Sequence, residues 1–305
     1  MTNVIEVKSL IKHFGPIRAV DGISFNVQSG DLFAFLGPNG AGKTTTIHIL
    51  CTLLGFDAGE VTVCGFKAGQ NDSEIRCRIG VVFQENSLDH LLTVRQNLIA
   101  RAYLYDNNKS RISSNLDRLC EVLNIGNLLQ RPYGKLSGGQ KRRCEIAQAL
   151  MHSPSVLFLD EPTTGLDPQT RAHVWESIRL LRQEQGTTVF LTTHYLEEAV
   201  HSSQIAIIDE GKIAAQGTPY ELKERFSTDI LKVASDDPAE VRNLLTAMAL
   251  PYQEKEDVLH VKVPHSLKAL EILKKIENHL LSFEVVHGTL EDVFLNITGK
   301  TLRED

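Results

Sequence analysis

An α/β fold followed by a smaller α+β appendage is the architecture that this 305-residue sequence predicts. Three observations carry it. An apolar run, Asp31–Leu36, meets a glycine-rich turn and then a stretch with helical spacing, which is half of an α/β unit. The same alternation resumes after Ser155, with short all-apolar strands of the kind found in a sheet covered on both faces. Beyond Ser227 the elements become shorter and are punctuated by Asp236-Asp237-Pro238 and Pro251.

Taken in chain order, Val4–Val7 and Ile23–Val27 alternate as half-buried strands do, with Gly15-Pro16, Asp21-Gly22 and Ser29-Gly30 as turns. Past Gly42, residues Ile47, Leu50 and Leu54 share one helical face. The stretch from about Thr93 to Ala149 is helical in pattern, and Leu116, Leu119, Cys120 and Leu123 form one apolar stripe within it. Val156–Leu159 is a buried strand, Arg171–Arg182 a helix, and Thr188–Thr192 and Ile205–Ile208 two further strands. The appendage alternates strands at Ile230–Ala234, Val258–Val263 and Phe283–Val286 with helices at Ala239–Ala247, Leu267–His279 and Leu290–Ile297. The expected division is a first domain over 1–226, with a helical subdomain at about 85–150, and an accessory domain over 227–305.

Composition narrows the class. Lys+Arg 32 against Asp+Glu 38 gives a net charge of −6, which is not the basic footprint of a nucleic-acid binder. Hydrophobic residues make up 42%, enough to bury a core. No apolar run approaches the ~18–20 residues of a membrane-spanning helix. Glu6, Lys8 and Lys12 interrupt the segment where a signal peptide would be apolar, so a soluble cytosolic chain is expected. Cys51, Cys64, Cys77, Cys120 and Cys144 contain no C-x-x-C pair and are expected as buried free thiols.

Three motifs carry chemistry. Gly37-Pro38-Asn39-Gly40-Ala41-Gly42-Lys43-Thr44 matches G-x-x-x-x-G-K-[ST] between a strand and a helix. Glycines let backbone N–H groups turn toward a phosphate chain, and the helix N-terminus adds partial positive charge there. Lys43 is then a point charge for the β- and γ-phosphates, and Thr44 a Mg²⁺ ligand. Val156–Leu159 ends in Asp160-Glu161, two carboxylates pointing in different directions, one for the metal shell and one to orient and deprotonate a water. Leu136-Ser137-Gly138-Gly139-Gln140 reads as a second anion cradle at a capped helix start. The Lys141-Arg142-Arg143 run that follows reads as a solvated helix face.

In this order the three motifs resemble those of the nucleotide-binding subunit of ABC transporters, over about Val4 to Arg225. The resemblance implies a P-loop NTPase cassette: a mixed-sheet core with an antiparallel β subdomain and a helical subdomain. It implies ATP and Mg²⁺ as ligands. Phe14 stands where the family stacks an aromatic on adenine, Gln84 where a loop glutamine touches Mg²⁺ or water, and Asp167 in the loop that crosses to a second subunit. His194 stands where a histidine contacts the γ-phosphate and steadies the catalytic carboxylate, Glu161. In that family two subunits pack head to tail. Gly37–Thr45 of one, including Thr45, would face Ser137–Gln140 of the other across ATP.

Val81–Leu88 and Gly288–Gly299 look like the drug-resistance and daunorubicin-type exporter ATPases, which implies separate ABC-2-type membrane permeases, a homodimer and a place on the cytoplasmic face of the membrane. The acidic balance argues against a nucleic-acid partner. An importer ATPase and a soluble non-transport ABC ATPase are the alternatives. Gln96-Asn97-Leu98 departs from the family's commoner Glu-Asn-Leu near the expected permease groove, and Ser203-Gln204 from its Asp-Arg.

Overall fold

A computed structural model of the protein describes residues 2–264 and 266–300. The last positions of the expected accessory domain, 301–305, lie outside the described residues. The chain falls into two compact units, Met1–Ala214 and Ala215–Asp305.

The first unit runs β1 (Asn3–Phe14), β2 (Ile17–Gln28), β3 (Leu32–Leu36), α1 (Lys43–Leu50), β4 (Ala58–Val63), β5 (Phe66–Lys67), α2 (Asp72–Arg76), β6 (Ile79–Val82), α3 (Val94–Ala102), α4 (Lys109–Val122), α5 (Gly138–Leu150), β7 (Val156–Asp160), α6 (Pro168–Gln185), β8 (Thr188–Thr193), α7 (Leu196–Ala199) and β9 (Gln204–Asp209). The strand β10 (Lys212–Gly217) leads into the second unit. One sheet is antiparallel, in the order β2-β1-β4-β5. The other has the order β10-β9-β3-β8-β7-β6, and its strands from β9 to β6 are parallel.

The two sheets close over a phenylalanine cluster. On β3 the side chains of Phe33 and Phe35 share one face, because strand side chains alternate. Phe25 of β2 reaches them across the layer, with ring centroids 5.4 Å from Phe33 and 5.5 Å from Phe35. Phe190 of β8 completes the cluster at 5.4 Å from Phe33, and Phe158 of β7 lies 5.5 Å from Phe190. Each such pair adds about 0.5–1.5 kcal/mol beyond burial. All five residues of β3, all five of β7 and the whole of β8 are buried, which is why β3 and Val156–Leu159 read as continuous apolar runs.

The helices begin at defined caps. Thr93 and Gln96 make a capping box on α3, Asn108 caps α4, and Ser137 with Gln140 makes a second box on α5. Asn97 is buried and clasps the backbone of Asp89, accepting from its N–H at 2.9 Å and donating to its carbonyl at 3.0 Å. That clasp holds the preceding loop, in which Leu88 and Val94 are buried while Leu91 stands 89% exposed.

The second unit contains α8 (Pro219–Phe226), β11 (Asp229–Ser235), α9 (Pro238–Ala247), β12 (Tyr252–Lys255), β13 (Val258–Val263), α10 (Ser266–Ile276), β14 (Leu280–Val286) and α11 (Leu290–Thr298). Its antiparallel sheet has the order β12-β13-β11-β14. Leu231, Val233, Leu259 and Val261 form a separate core with Val241, Leu245 and Ile272 of the helices. The polar strand β12 has no counterpart in the sequence pattern. It forms because Glu256 and Asp257, at φ 49° and 64°, make a tight two-residue turn onto β13.

Not all thiols are buried: Cys51 and Cys144 are, Cys64 and Cys120 are partly so, and Cys77 is exposed.

Candidate functional site

Parallel pairing brings the ends of three neighbouring strands together. Leu36 of β3 pairs with Thr193 of β8, and Asp160 of β7 pairs with Thr192. The residues that follow, Gly37, His194 and Glu161, therefore emerge side by side at the carboxyl edge of the sheet, where open α/β sheets bind ligands.

The Gly37–Thr45 segment wraps that edge. A Cβ on Gly37 would lie 2.4 Å from the carbonyl of Ile208, and one on Gly42 would lie 2.3 Å from that of Ala19. Gly42 is also at φ 106°, a conformation side chains rarely adopt. Gly42 is the N-cap of α1 and offers no side-chain cap. By contrast α3, α4, α5, α6, α8, α9 and α11 each receive a side-chain cap. The first N–H groups of α1 thus keep their donor capacity and their partial positive charge for an anion. Thr44 is exposed at this end and Thr45 partly so.

Lys43 is almost wholly buried, at 4% exposure. Its Nζ donates to the carbonyls of Gly37 at 2.9 Å and Pro38 at 3.1 Å, and lies 3.3 Å from Glu161 Oε1. Burial pulls the Lys43 pKa down, and the carboxylates of Glu161 and Asp160 oppose that pull. His194 Nδ1 is 3.4 Å from the same Glu161 oxygen, without the geometry of a hydrogen bond. Asp160 is buried and accepts from the Thr192 hydroxyl.

Glu161 itself sits at φ 46°, in the left-handed region. Its N–H donates to the Thr192 carbonyl and hydroxyl, both at 3.1 Å, and its Oε2 accepts from the Thr164 hydroxyl at 3.3 Å. A non-glycine residue in that conformation needs such holding.

The other expected site residues make no direct bond to this group among the described residues, although β6 pairs with β7 (Val82 with Leu159), so Gln84 emerges at the same sheet edge as Glu161. Phe14 is 47% exposed, with Lys12 Nζ 5.4 Å from its ring centroid. Gln84 is exposed just beyond β6. Asp167 is exposed and caps α6, accepting from Thr170 N at 3.0 Å; Thr170 holds its carboxyl below the usual range. Ser137 and Gly138 are exposed at the start of α5, where Gln140 N donates to Ser137 Oγ at 3.4 Å. Gly139 is buried for a packing reason, since a Cβ there would lie 2.0 Å from Thr170 Cγ2. Among the described residues, no hydrogen bond or ion pair joins these positions to the Lys43–Glu161–His194 group.

One reading is overturned. Arg142 is not part of a solvated face: it is 6% exposed, and all five of its N–H donors are spent. Nε donates to the Pro162 carbonyl at 2.6 Å, and the two terminal nitrogens reach Asp160 O (3.1 Å), Glu161 O (3.2 Å), Phe83 O (2.5 Å) and Glu145 Oε2 (3.1 Å). One guanidinium thus fixes the backbone on both sides of Glu161 and the residue before Gln84. The available signal was helical phase, because Gly139, Arg142, Ile146 and Ala149 share the buried face of α5. Lys141 and Arg143 are partly buried, and Arg143 donates to the Leu123 and Asn124 carbonyls.

A hard-oxygen set of Thr44 hydroxyl and Asp160 carboxylate beside a phosphate cradle fits Mg²⁺, which binds through few protein oxygens plus phosphate.

Residues 20–164 match the family described as "ABC transporter", and residues 217–298 match "ATP-binding protein DrrA1-3-like, C-terminal domain". The chain is 38% identical to the daunorubicin resistance ATP-binding protein DrrA2 of Streptomyces coeruleorubidus, covering 97% of this chain and 95% of that one. It is 37% identical to the Nod factor export ATP-binding protein I of Burkholderia lata, covering 98% of each. Its fold is similar to that of cbiO1 from Clostridium perfringens, part of the ABC transporter complex cbiONQ, with TM-score 0.68, 26% identity and coverage of 82% and 97%. It is also similar to the ATP-binding cassette MJ0796 in a dimeric post-hydrolysis state bound to ADP and Pi, with TM-score 0.64, 26% identity and coverage of 70% and 98%.

Proposed function

The chain belongs to the ABC transporter family as an ATP-hydrolysing subunit, and we propose that it drives export through separate ABC-2-type permeases on the cytoplasmic face of a membrane. Full-length similarity to ATP-binding subunits named for drug resistance and for Nod factor export supports the exporter reading over an importer or a non-transport ATPase. So does the match of residues 217–298 to the C-terminal domain of that subgroup. In this reading the cassette is the first unit and the accessory domain the second, with the boundary before α8, at 214/215, and not at the expected 226/227.

The observation that carries the catalytic assignment is the Glu161 carboxylate held 3.3 Å from Lys43 and 3.4 Å from His194 at the uncapped end of α1. Backbone N–H groups of Gly37–Thr45 cradle the phosphates of ATP, with Lys43 leaving its own loop carbonyls for the phosphate oxygens. Glu161 accepts the proton of the attacking water, and His194 steadies both that carboxylate and the γ-phosphate. Phe14 stacks on the adenine. Thr44, Gln84 and Asp160 would hold Mg²⁺, which neutralises charge on the phosphates.

Among the described residues no hydrogen bond or ion pair joins Ser137–Gln140, whose side chains cap their own helix, to this group, and in this reading a second copy brings its Ser137–Gln140 to close the site. The dimeric state of the MJ0796 cassette supports the same arrangement. Two copies then sandwich two ATP molecules, with Asp167 of each at the crossing. Light scattering tests this. Glu161→Gln with ATP and Mg²⁺ is expected to shift the isolated protein to a dimer, and adding Ser137→Arg to block the shift. The same mass with and without nucleotide in both variants overturns the sandwich.

A further inference from the structure

One buried carboxylate remains outside this machinery. Glu198 on α7 is 1% exposed, yet among the described residues it forms no ion pair. Its partners are three neutral donors from three different segments. Oε1 accepts from the Thr163 hydroxyl and from the Trp175 indole Nε1, the latter at 3.2 Å. Oε2 accepts from the Thr193 hydroxyl at 2.5 Å. Burial pushes the Glu198 carboxyl pKa up, and the three donors with nearby Arg171 oppose that push.

The placement of those donors matters more than their number. Thr163 lies two residues beyond Glu161 and Thr193 directly precedes His194. The Thr193 hydroxyl also accepts from the N–H of Tyr195 at 2.9 Å, so the backbone is tied on both sides of His194. Glu161 stands at φ 46°, and the turn after it must be held for its carboxylate to stay beside Lys43 and His194. We propose that Glu198 is a positioning residue for ATP hydrolysis, a single acceptor that binds the turn carrying Glu161 to the strand end carrying His194. An ionised carboxylate suits the task because it offers only acceptors, on both oxygens. A glutamine in its place has one acceptor oxygen and an amide that donates, so one of the two threonine hydroxyls loses the acceptor for its O–H and must reverse its role or turn away. Trp175 anchors the same carboxylate to α6, which carries neither catalytic side chain.

The inference rests on the roles given to Glu161 and His194 above. Its test measures steady-state ATPase, nucleotide binding and thermal stability in the full chain. Glu198→Gln is expected to lower kcat about 10- to 100-fold, the usual effect of a small misplacement of reacting groups, with KM for ATP within about twofold. Thr193→Val and Thr163→Val are expected to do the same to a smaller extent, and to add little in the Glu198→Gln background. These two variants read the contacts separately should Glu198→Gln not fold. Trp175→Phe is expected to lower stability and leave kcat within about twofold. Wild-type kcat in Glu198→Gln overturns the inference, as does a loss in which KM rises and kcat stays. A kcat loss in Trp175→Phe as large as that in Thr193→Val also overturns it, because the cluster would then be structural. If Glu161→Gln keeps wild-type turnover, the catalytic assignment itself has failed; normal turnover in Glu198→Gln beside an inactive Glu161→Gln refutes only the positioning role.

Discussion

Replacing Glu161 with Gln keeps the shape of the side chain and removes the charge that faces Lys43 at 3.3 Å and His194 at 3.4 Å. Two effects of different size follow. Turnover loses its proton acceptor, which is expected to slow hydrolysis by about 10²–10⁴, or roughly 3–5 kcal/mol of barrier. The nucleotide-free protein also loses stability. Lys43 is 4% exposed, and burial already pulls its pKa down against the opposing carboxylates. Breaking a buried pair costs about 3–5 kcal/mol when the remaining charge is stranded. Lys43 is not stranded, because the Gly37 and Pro38 carbonyls stay within 2.9 and 3.1 Å. The expected loss is therefore nearer 2 kcal/mol, on the order of one or two hydrogen bonds to a charged group. ATP phosphates restore negative charge at Lys43, so the deficit should shrink when nucleotide is bound. Phosphate release and thermal melts with and without ATP and Mg²⁺ measure both effects. Wild-type turnover, or a melting deficit that ATP leaves unchanged, refutes the reasoning.

Three further outcomes are expected. His152 donates from Nε2 to the Ile79 carbonyl at 2.9 Å and stacks on Tyr105 at 4.0 Å, and burial lowers its pKa to about 4. The unfolded chain then takes up a proton first, so stability present above about pH 6.5 is lost as pH falls to about 4, by roughly 3 kcal/mol; in His152→Gln the denaturant midpoint should fall less over that window, and an identical fall counts against it. Gly139→Ala drives a methyl onto Thr170 Cγ2, 2.0 Å away, and should cost about 1–2 kcal/mol after the helix gain of Ala; Thr170→Ser should recover most of it, and a fully stable Gly139→Ala would refute the clash. Leu91, 89% exposed on the clasped loop, should become dispensable for folding but not for permease contact: Leu91→Asp is expected to keep basal ATPase and melting temperature while reducing recovery with the membrane fraction, and undiminished recovery places the contact elsewhere.

What was legible in the sequence follows from how local each requirement is. The phosphate loop declares itself because its residues stand consecutively in the sequence and Gly42, at φ 106°, answers to its own backbone. The convergence of Glu161 and His194 is not local. It depends on β8 lying between β3 and β7, an order that residue patterns do not encode, and only resemblance to a known family pairs the two in advance. Strand β12 escaped notice because a two-residue turn, not an apolar alternation, makes it. Arg142 and Glu198 were hidden by their neighbours: each sits in a charged run at a helix start, Lys141-Arg142-Arg143 and Glu197-Glu198, of the kind that normally faces water. Yet each is buried because the ends of β7 and β8 leave polar groups that regular sheet pairing cannot satisfy. Arg142 supplies donors to the carbonyls around Glu161, and Glu198 supplies an acceptor to the hydroxyls that flank Glu161 and His194. Opposite charges thus meet the complementary halves of one requirement, which is to hold a left-handed carboxylate at the edge of a parallel sheet.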